Sequence, residues 1–320
     1  QYGPRLRSIS VYLGGYQLLP YKRTRELLSD LFGIDLSEAT LVNLVNRCAG
    51  LLEEVVERIR RLVKGSPVVD LDETGRRVEG RLWWLHTAST PRLTYYRIHP
   101  RRGGEAMKDI GILPGFEGRA IHDHWKPYFE YDCRHGLCNA HHLRELIFLI
   151  EQQGQRWARC MKKCLLDIKE AVDRSSKAGR KRLSRHRVGK FEARYRRILS
   201  AGYAENPLPG KRRRRLHARG RIPQPKAVNL LDRLKNQENA VLAFMYDFNV
   251  PFSNNLAERD QRMAKVQEKI SGTFRSKEGA HAFCRIRSYI STARKNSVNV
   301  IEAIQNAFAG DPFIPQPDTG

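Results

Sequence analysis

The sequence predicts an α/β protein, a mixed sheet with helices before and after it, and three observations lead there. Apolar residues recur at helical spacing between 20 and 63, the period drops to two over short runs between 67 and 98, and helical spacing returns from 146 onward. At 320 residues, 41% of them hydrophobic, the chain can bury a sizeable core and form two or three domains.

Residues Pro20 to Ala49 read as two helices around a tight turn. Thr24–Phe32 carries Leu27, Leu28 and Leu31, Gly33 can supply a positive φ, and Ser37 caps a second helix holding Leu41, Leu44 and Val45. That is the outline of a helix-turn-helix, although two short helices around a glycine also occur in many bundles. Leu51 to Val63 forms a third helix, with Glu53, Glu54 and Glu57 early and Arg58, Arg60 and Arg61 late, the order its dipole favours.

The sheet begins with Pro67–Asp72, a buried strand whose Asp70 and Asp72 point to the same side. Arg81–Thr87 and Leu93–Ile98 follow as strands joined by a turn at Ser89–Arg92, Gly103–Ile110 is helical, and Gly118–His122 is a fourth strand with Asp123 just past its end. Cys133, His135, Cys138, His141 and His142 are of the right chemical types for zinc. Their short spacing and a strand-to-helix transition at Asn139 favour instead a packed cysteine and a polar helix start.

Leu146 to Tyr203 is helical and strongly basic, and Pro207–Leu216, with Arg212, Arg213 and Arg214, reads as an exposed basic linker that suits phosphate contact. Lys226–Asp247 forms a helix with Leu230, Leu231, Leu234, Val241, Leu242 and Met245 inward. A further helix starts after Pro251 with Ser253 as N-cap. It places Asn254, Glu258, Gln261 and Lys265 on one face and an apolar stripe of Leu256, Met263, Val266 and Ile270 on another. Gly279–Lys295 is helical and the tail from Asp311 is expected to be disordered. The predicted organisation is 1–65 helical, 66–145 the first part of the sheet domain, 146–225 a basic helical insertion and linker, 226–308 its helical completion, and 309–320 a tail.

Lys plus Arg number 58 against 34 acidic residues, a formal charge of +24 spread along the chain. Such a balance favours a polyanionic partner, nucleic acid first, because each phosphate neutralised releases counterions. A membrane surface is the competing polyanion, but no apolar run is long enough to span a bilayer and no signal peptide is visible. The six cysteines at irregular intervals fit a reducing cytosol, and a start at Gln1 without an initiator Met fits a processed or incomplete product. Acids at the ends of central strands are costly to bury unless a cation neutralises them. Asp72 and Asp123 stand at such ends, and Glu258 on a helix would complete a three-carboxylate metal site. Asp70 rivals Asp72 for the first position, and Asp123 also suits a turn cap.

Five blocks carry a resemblance, namely Leu71-Asp-Glu-Thr-Gly75, Ile121-His-Asp-His-Trp-Lys-Pro-Tyr128, Leu137-Cys-Asn-Ala-His-His-Leu-Arg-Glu-Leu146, Asn254-Asn-Leu-Ala-Glu-Arg-Asp260 and Lys269-Ile-Ser-Gly-Thr-Phe-Arg-Ser276. In this order they resemble the successive motifs of transposases of the insertion sequence 66 family, with similarity from Tyr2 to Ala307. The resemblance implies a ribonuclease H-like core with an Asp-Asp-Glu triad at Asp72, Asp123 and Glu258, interrupted by a helical insertion before the Glu. Lys265, on the face of Glu258, matches the basic residue such enzymes place beside DNA, with Arg262 and Arg275 assisting. Two Mg²⁺ ions on the three carboxylates, with Mn²⁺ able to substitute, would serve DNA cleavage at element ends and strand transfer to a target. Double-stranded DNA, further copies of the chain assembled on it and accessory proteins of the same element are the implied partners, in a bacterial cytoplasm at the nucleoid. The alternatives are a purely hydrolytic nuclease of the same fold, an inactive nucleic-acid-binding protein, and an RNA-binding surface.

Overall fold

In the computed structural model, which describes residues 2–207 and 224–317, the chain divides into two compact units, Gln1–Arg134 with Asn254–Gly320, and His135–Ser253. These boundaries differ from those read off the sequence at 65, 145 and 225. Hydrophobic periodicity marks elements without saying which of them share a core. Here Val11, Leu44 and Ile59 from the N-terminal helices lie in one apolar cluster with Val69 and Ala88 of the sheet and Ile286 and Ile304 of the C-terminal helices.

The first unit opens with α1 (Pro4–Val11), one π-helical stretch at Tyr12–Tyr16, α2 (Tyr21–Phe32), α3 (Glu38–Leu51) and α4 (Glu53–Lys64). Gly33 ends α2 at φ +62, and the Ser37 hydroxyl accepts from the Thr40 amide at 3.1 Å to cap α3, both as the sequence predicts. The α2–α3 pair packs on itself through Leu28, Leu36 and Leu41 with Leu6, Ile9 and Leu13 against them.

Strands β1 (Val68–Val78), β2 (Arg81–Ser89) and β3 (Thr94–His99) form an antiparallel meander, α5 (Gly104–Ile110) crosses over, and β4 (Arg119–His122) returns parallel to β1. With β5 (Arg134–Leu137), in which the chain passes from one unit to the other, the mixed sheet has the order β3-β2-β1-β4-β5. Strand β1 runs well past the predicted end at Asp72, because Glu79 and Gly80, at φ +51 and +75, make the tight turn that pairs Asp70 through Val78 with β2. Asp70 pairs with Ser89 and Asp72 with Thr87, so these four side chains share one face of the sheet.

The chain re-enters this unit at α12 (Asn255–Ser271), followed by α13 (Lys277–Lys295) and α14 (Val300–Ala309). Two expectations for α12 are corrected. The residue at its N-cap is Asn254 rather than Ser253, and its side chain caps nothing; instead its Nδ2 donates to the Leu71 carbonyl at 2.6 Å, fastening the helix start to β1. The packed face is Ala257, Gln261, Ala264 and Gln267, while Val266 and Ile270 of the expected apolar stripe are 38% and 42% exposed. Alanines let the helix lie close to the sheet, where larger side chains would hold it off. Buried Arg76 of β1 completes the seam, donating to the Ala264 carbonyl at 2.9 Å, bonding Gln267 and pairing with Glu268.

Helix α13 covers the edge strand. The Thr94 and Tyr96 amides of β3 donate to the hydroxyls of Thr292 at 3.1 Å and Ser288 at 2.9 Å, which satisfies groups an open edge would leave exposed. The tail expected to be disordered is docked as far as it is described. Phe313 donates its amide to the Tyr289 hydroxyl at 2.9 Å, and Arg58 donates to the Pro315 carbonyl at 3.1 Å.

The second unit is helical, with α6 (Asn139–Gln153), α7 (Arg156–Lys177), α8 (Arg185–Glu205), α9 (Lys226–Asn236), α10 (Glu238–Val241) and α11 (Ala243–Tyr246). Trp157, Met161, Leu165, Tyr195 and Leu231 are buried, and the Tyr195 hydroxyl donates to the Leu234 carbonyl at 2.8 Å. The single helix expected over Lys226–Asp247 breaks after Asn236 and again at Leu242, although its predicted inward residues are all buried. The basic linker residues Arg212, Arg213 and Arg214 lie outside the described residues.

Candidate active site

Three elements of the first unit bring the charges of Asp123 and Glu258 to bear on Asp72. Asp72 sits mid-strand on β1, Asp123 follows the last residue of β4, and Glu258 lies in the first turn of α12, where the helix dipole favours an acid. All three are half-buried. Burial, then neighbouring Glu73, then Asp123 and Glu258 push the Asp72 carboxyl up to about 7, against the relief of a 3.0 Å hydrogen bond from the Glu73 amide. The charges of Asp123 and Glu258 thus reach half-buried Asp72, a repulsion that a cation beside it would relieve, and carboxylate oxygens suit a hard divalent ion.

Asp123 also holds the turn role weighed against it. One carboxylate oxygen accepts from the Trp125 amide at 3.0 Å, so the residue shapes the loop after β4 while its charge reaches Asp72. That loop is fixed by contacts absent from the sequence reading. Tyr128 stacks on His122 at 4.5 Å and donates its hydroxyl to Glu73 at 2.5 Å. Arg102 grips the other Glu73 oxygen through bonds of 3.0 and 2.8 Å, and its guanidinium lies 4.8 and 4.1 Å from the rings of Trp84 and Trp125. Glu73 points to the sheet face opposite Asp72, so the strand carries an acid to the site on one side and an anchor for the Asp123 loop on the other.

Asp70, the rival for the first position, belongs to a different cluster. It is 4% exposed, and its carboxyl is pushed up to about 7 mainly by burial, with Asp260 adding to the rise and Lys295 opposing it. Asp260 of α12 accepts at one oxygen from Ser89 at 2.6 Å, Thr94 at 2.9 Å and Lys295 at 2.8 Å. The Lys295 ammonium also donates to the carbonyls of Thr90 and Leu93 at 2.8 and 2.9 Å, and the Tyr96 hydroxyl donates to the Asp260 carbonyl at 2.8 Å. This knot ties the helical turn that carries Glu258 to the β2–β3 hairpin. Asp260 closes the motif block that contains Glu258, and that adjacency was its one sequence signal; nothing local marked Lys295.

Of the expected DNA-facing residues, Arg262, Lys265 and Arg275 are exposed, and Arg262 and Lys265 continue along α12 on the face of Glu258. Cys133 is half-buried against the sheet core of the first unit, whereas Cys138, His141 and His142 stand at the start of α6 in the second, with His142 Nδ1 at 3.0 Å from Asn139 Oδ1. Among the described residues no helix is long and apolar enough to cross a membrane.

Residues 1–282 match the family model described as Transposase IS66 family. No curated protein matches the chain.

Proposed function

We propose, for a chain that belongs to the transposase IS66 family and is thereby an enzyme acting on DNA, that Asp72, Asp123 and Glu258 are its catalytic carboxylates and hold Mg²⁺. The observation that carries this reading is the raised carboxyl of Asp72, lifted in part by the charges of the other two. Acids from the two neighbouring strands β1 and β4, closed by a glutamate on a helix, support a ribonuclease H-like core. Bound Mg²⁺, with Mn²⁺ as a substitute, supplies activation of a water or 3′-hydroxyl nucleophile and charge relief at the leaving oxygen.

The chain's own groups do the rest. Asp72 is held by its pairing with Thr87 of β2, Asp123 by its own turn and the Tyr128–Glu73–Arg102 anchor, and Glu258 by Asn254 on one side and the Asp260 knot on the other. Preorganised ligands lose little freedom when they close on an ion. Lys265 and Arg262 neutralise phosphate beside Glu258, and Arg275 extends the contact. The reaction is strand cleavage at element ends followed by transfer to target DNA, carried out by copies of the chain assembled on the duplex. Asp72→Asn, Asp123→Asn and Glu258→Gln should each abolish metal-dependent nicking and joining while duplex binding stays within about twofold. Substantial residual nicking in one variant removes that residue from the triad; nicked product without joined product makes the chain a hydrolytic nuclease.

A further inference from the structure

A cleft of about 450 Å³ opens within the first unit at the C-terminal end of α12, far along the helix from Glu258. Tyr21, Phe274 and Phe283 give it aromatic walls, Asn46 and Glu38 bring exposed polar tips, and Lys22 and Arg275 put positive charge at its edge. Aromatic faces, a donor–acceptor amide, a carboxylate able to accept from an amino group and flanking cations are together the chemistry that recognises a nucleobase with its phosphates. A purely apolar partner would leave Asn46, Glu38 and the cations without use.

The helix itself relates the cleft to the carboxylates. Glu258, Arg262, Lys265 and Lys269 fall on one face of α12, and all three cations are exposed, so a basic ridge runs from the acid to the end of the helix, beyond which exposed Arg275 carries positive charge on to the edge of the cleft. Gln267 and Ser271 lie about 14–20 Å from Glu258 along the axis at 1.5 Å per residue. At about 3.4 Å per nucleotide of one strand, that is about four to six nucleotides. We propose that this cleft binds an unstacked nucleobase of the DNA strand that follows the ridge, about four to six nucleotides from the phosphate at the carboxylates. The occupant is argued from the cleft alone; the register rests on the reading of Asp72, Asp123 and Glu258 as the cutting site. Enzymes that draw a base out of the stack gain selectivity for distorted or single-stranded DNA, which is what element ends become once nicked.

The test uses the full chain without divalent metal, so it does not depend on whether the carboxylates cut. Binding of a labelled strand of 12 thymidylates is compared, at one salt concentration, with that of an abasic strand of the same length. Bases in the cleft should make the thymidylate strand bind about tenfold or more tighter. Tyr21→Ala and Asn46→Ala should shrink that preference to within about threefold and leave the abasic strand unaffected, while Arg275→Ala should weaken both strands alike. Asn46 is exposed, so its truncation does not disturb packing, and it decides the matter should Tyr21→Ala weaken both strands. Equal binding of the two strands, or a preference that Asn46→Ala leaves intact, overturns the proposal. In a cleavable duplex, single 2-aminopurines should brighten or quench most at about four to six nucleotides from the nick; a response spread over all positions rejects the register.

Discussion

Lys295→Met is the sharpest probe of how the Glu258 turn is held. The ammonium makes three bonds of 2.8–2.9 Å, two to backbone carbonyls and one to Asp260, and the paired side chains are only 13% and 15% exposed. Removing one partner of a buried ion pair costs about 3–5 kcal/mol, since the remaining charge is stranded; slight exposure places this pair near the lower bound, about 3 kcal/mol. With Asp70 close enough to feel Lys295, the substitution strips the cation from two carboxylates at once. Urea unfolding in a Trp157→Phe background, where Trp83, Trp84 and Trp125 report on the first unit, should show a midpoint lowered by about 1 M. Asp260→Asn combined with Lys295→Met should recover part of the loss, with a coupling of about 2 kcal/mol. A shift below about 0.3 M, or strict additivity in the double variant, would mean the knot holds nothing.

Three further outcomes follow from the same geometry. Tyr128→Phe takes one donor from buried Glu73 and leaves Arg102, so it should cost about 1.5–3 kcal/mol in the same unfolding assay and slow nicking through the Asp123 loop. Thr292→Val strands the Thr94 amide at the sheet edge, and faster hydrogen exchange at Thr94 with a loss of about 1–2 kcal/mol is expected. Burial drives the His86 imidazole down to about 4 from an ordinary 6.5, so the unfolded chain takes up the proton first as pH falls. The stability it contributes is complete above about 6.5 and is lost progressively towards 4, on the order of 3 kcal/mol at most; His86→Gln should flatten the slope of urea midpoint against pH in that window.

The acids of the candidate site could be singled out in the sequence because they sit in short blocks. Strand period two exposed β1 to β4, and the acids Asp72 within β1 and Asp123 just after β4 stood out against apolar neighbours. Packing that depends on small or polar residues was not legible. Helix α12 buries alanines and glutamines, which carry little hydrophobic signal, while its exposed Val266 and Ile270 imitate a core stripe. Arg76, 1% exposed, reads in sequence as one more surface cation of a basic chain, yet it joins β1 to the end of α12. The length of β1 depended on the Glu79–Gly80 turn, and the docking of the tail on Arg58 and Tyr289, partners too distant in sequence for any local pattern to report.

Crystals of the full chain soaked in Mn²⁺, with anomalous scattering measured at the metal edge, test the three-carboxylate centre most directly. Ions within coordination distance of Asp72, Asp123 and Glu258 together, lost in Asp72→Asn, are the predicted result. Mn²⁺ bound elsewhere, or none at these carboxylates at saturating concentration, would contradict it.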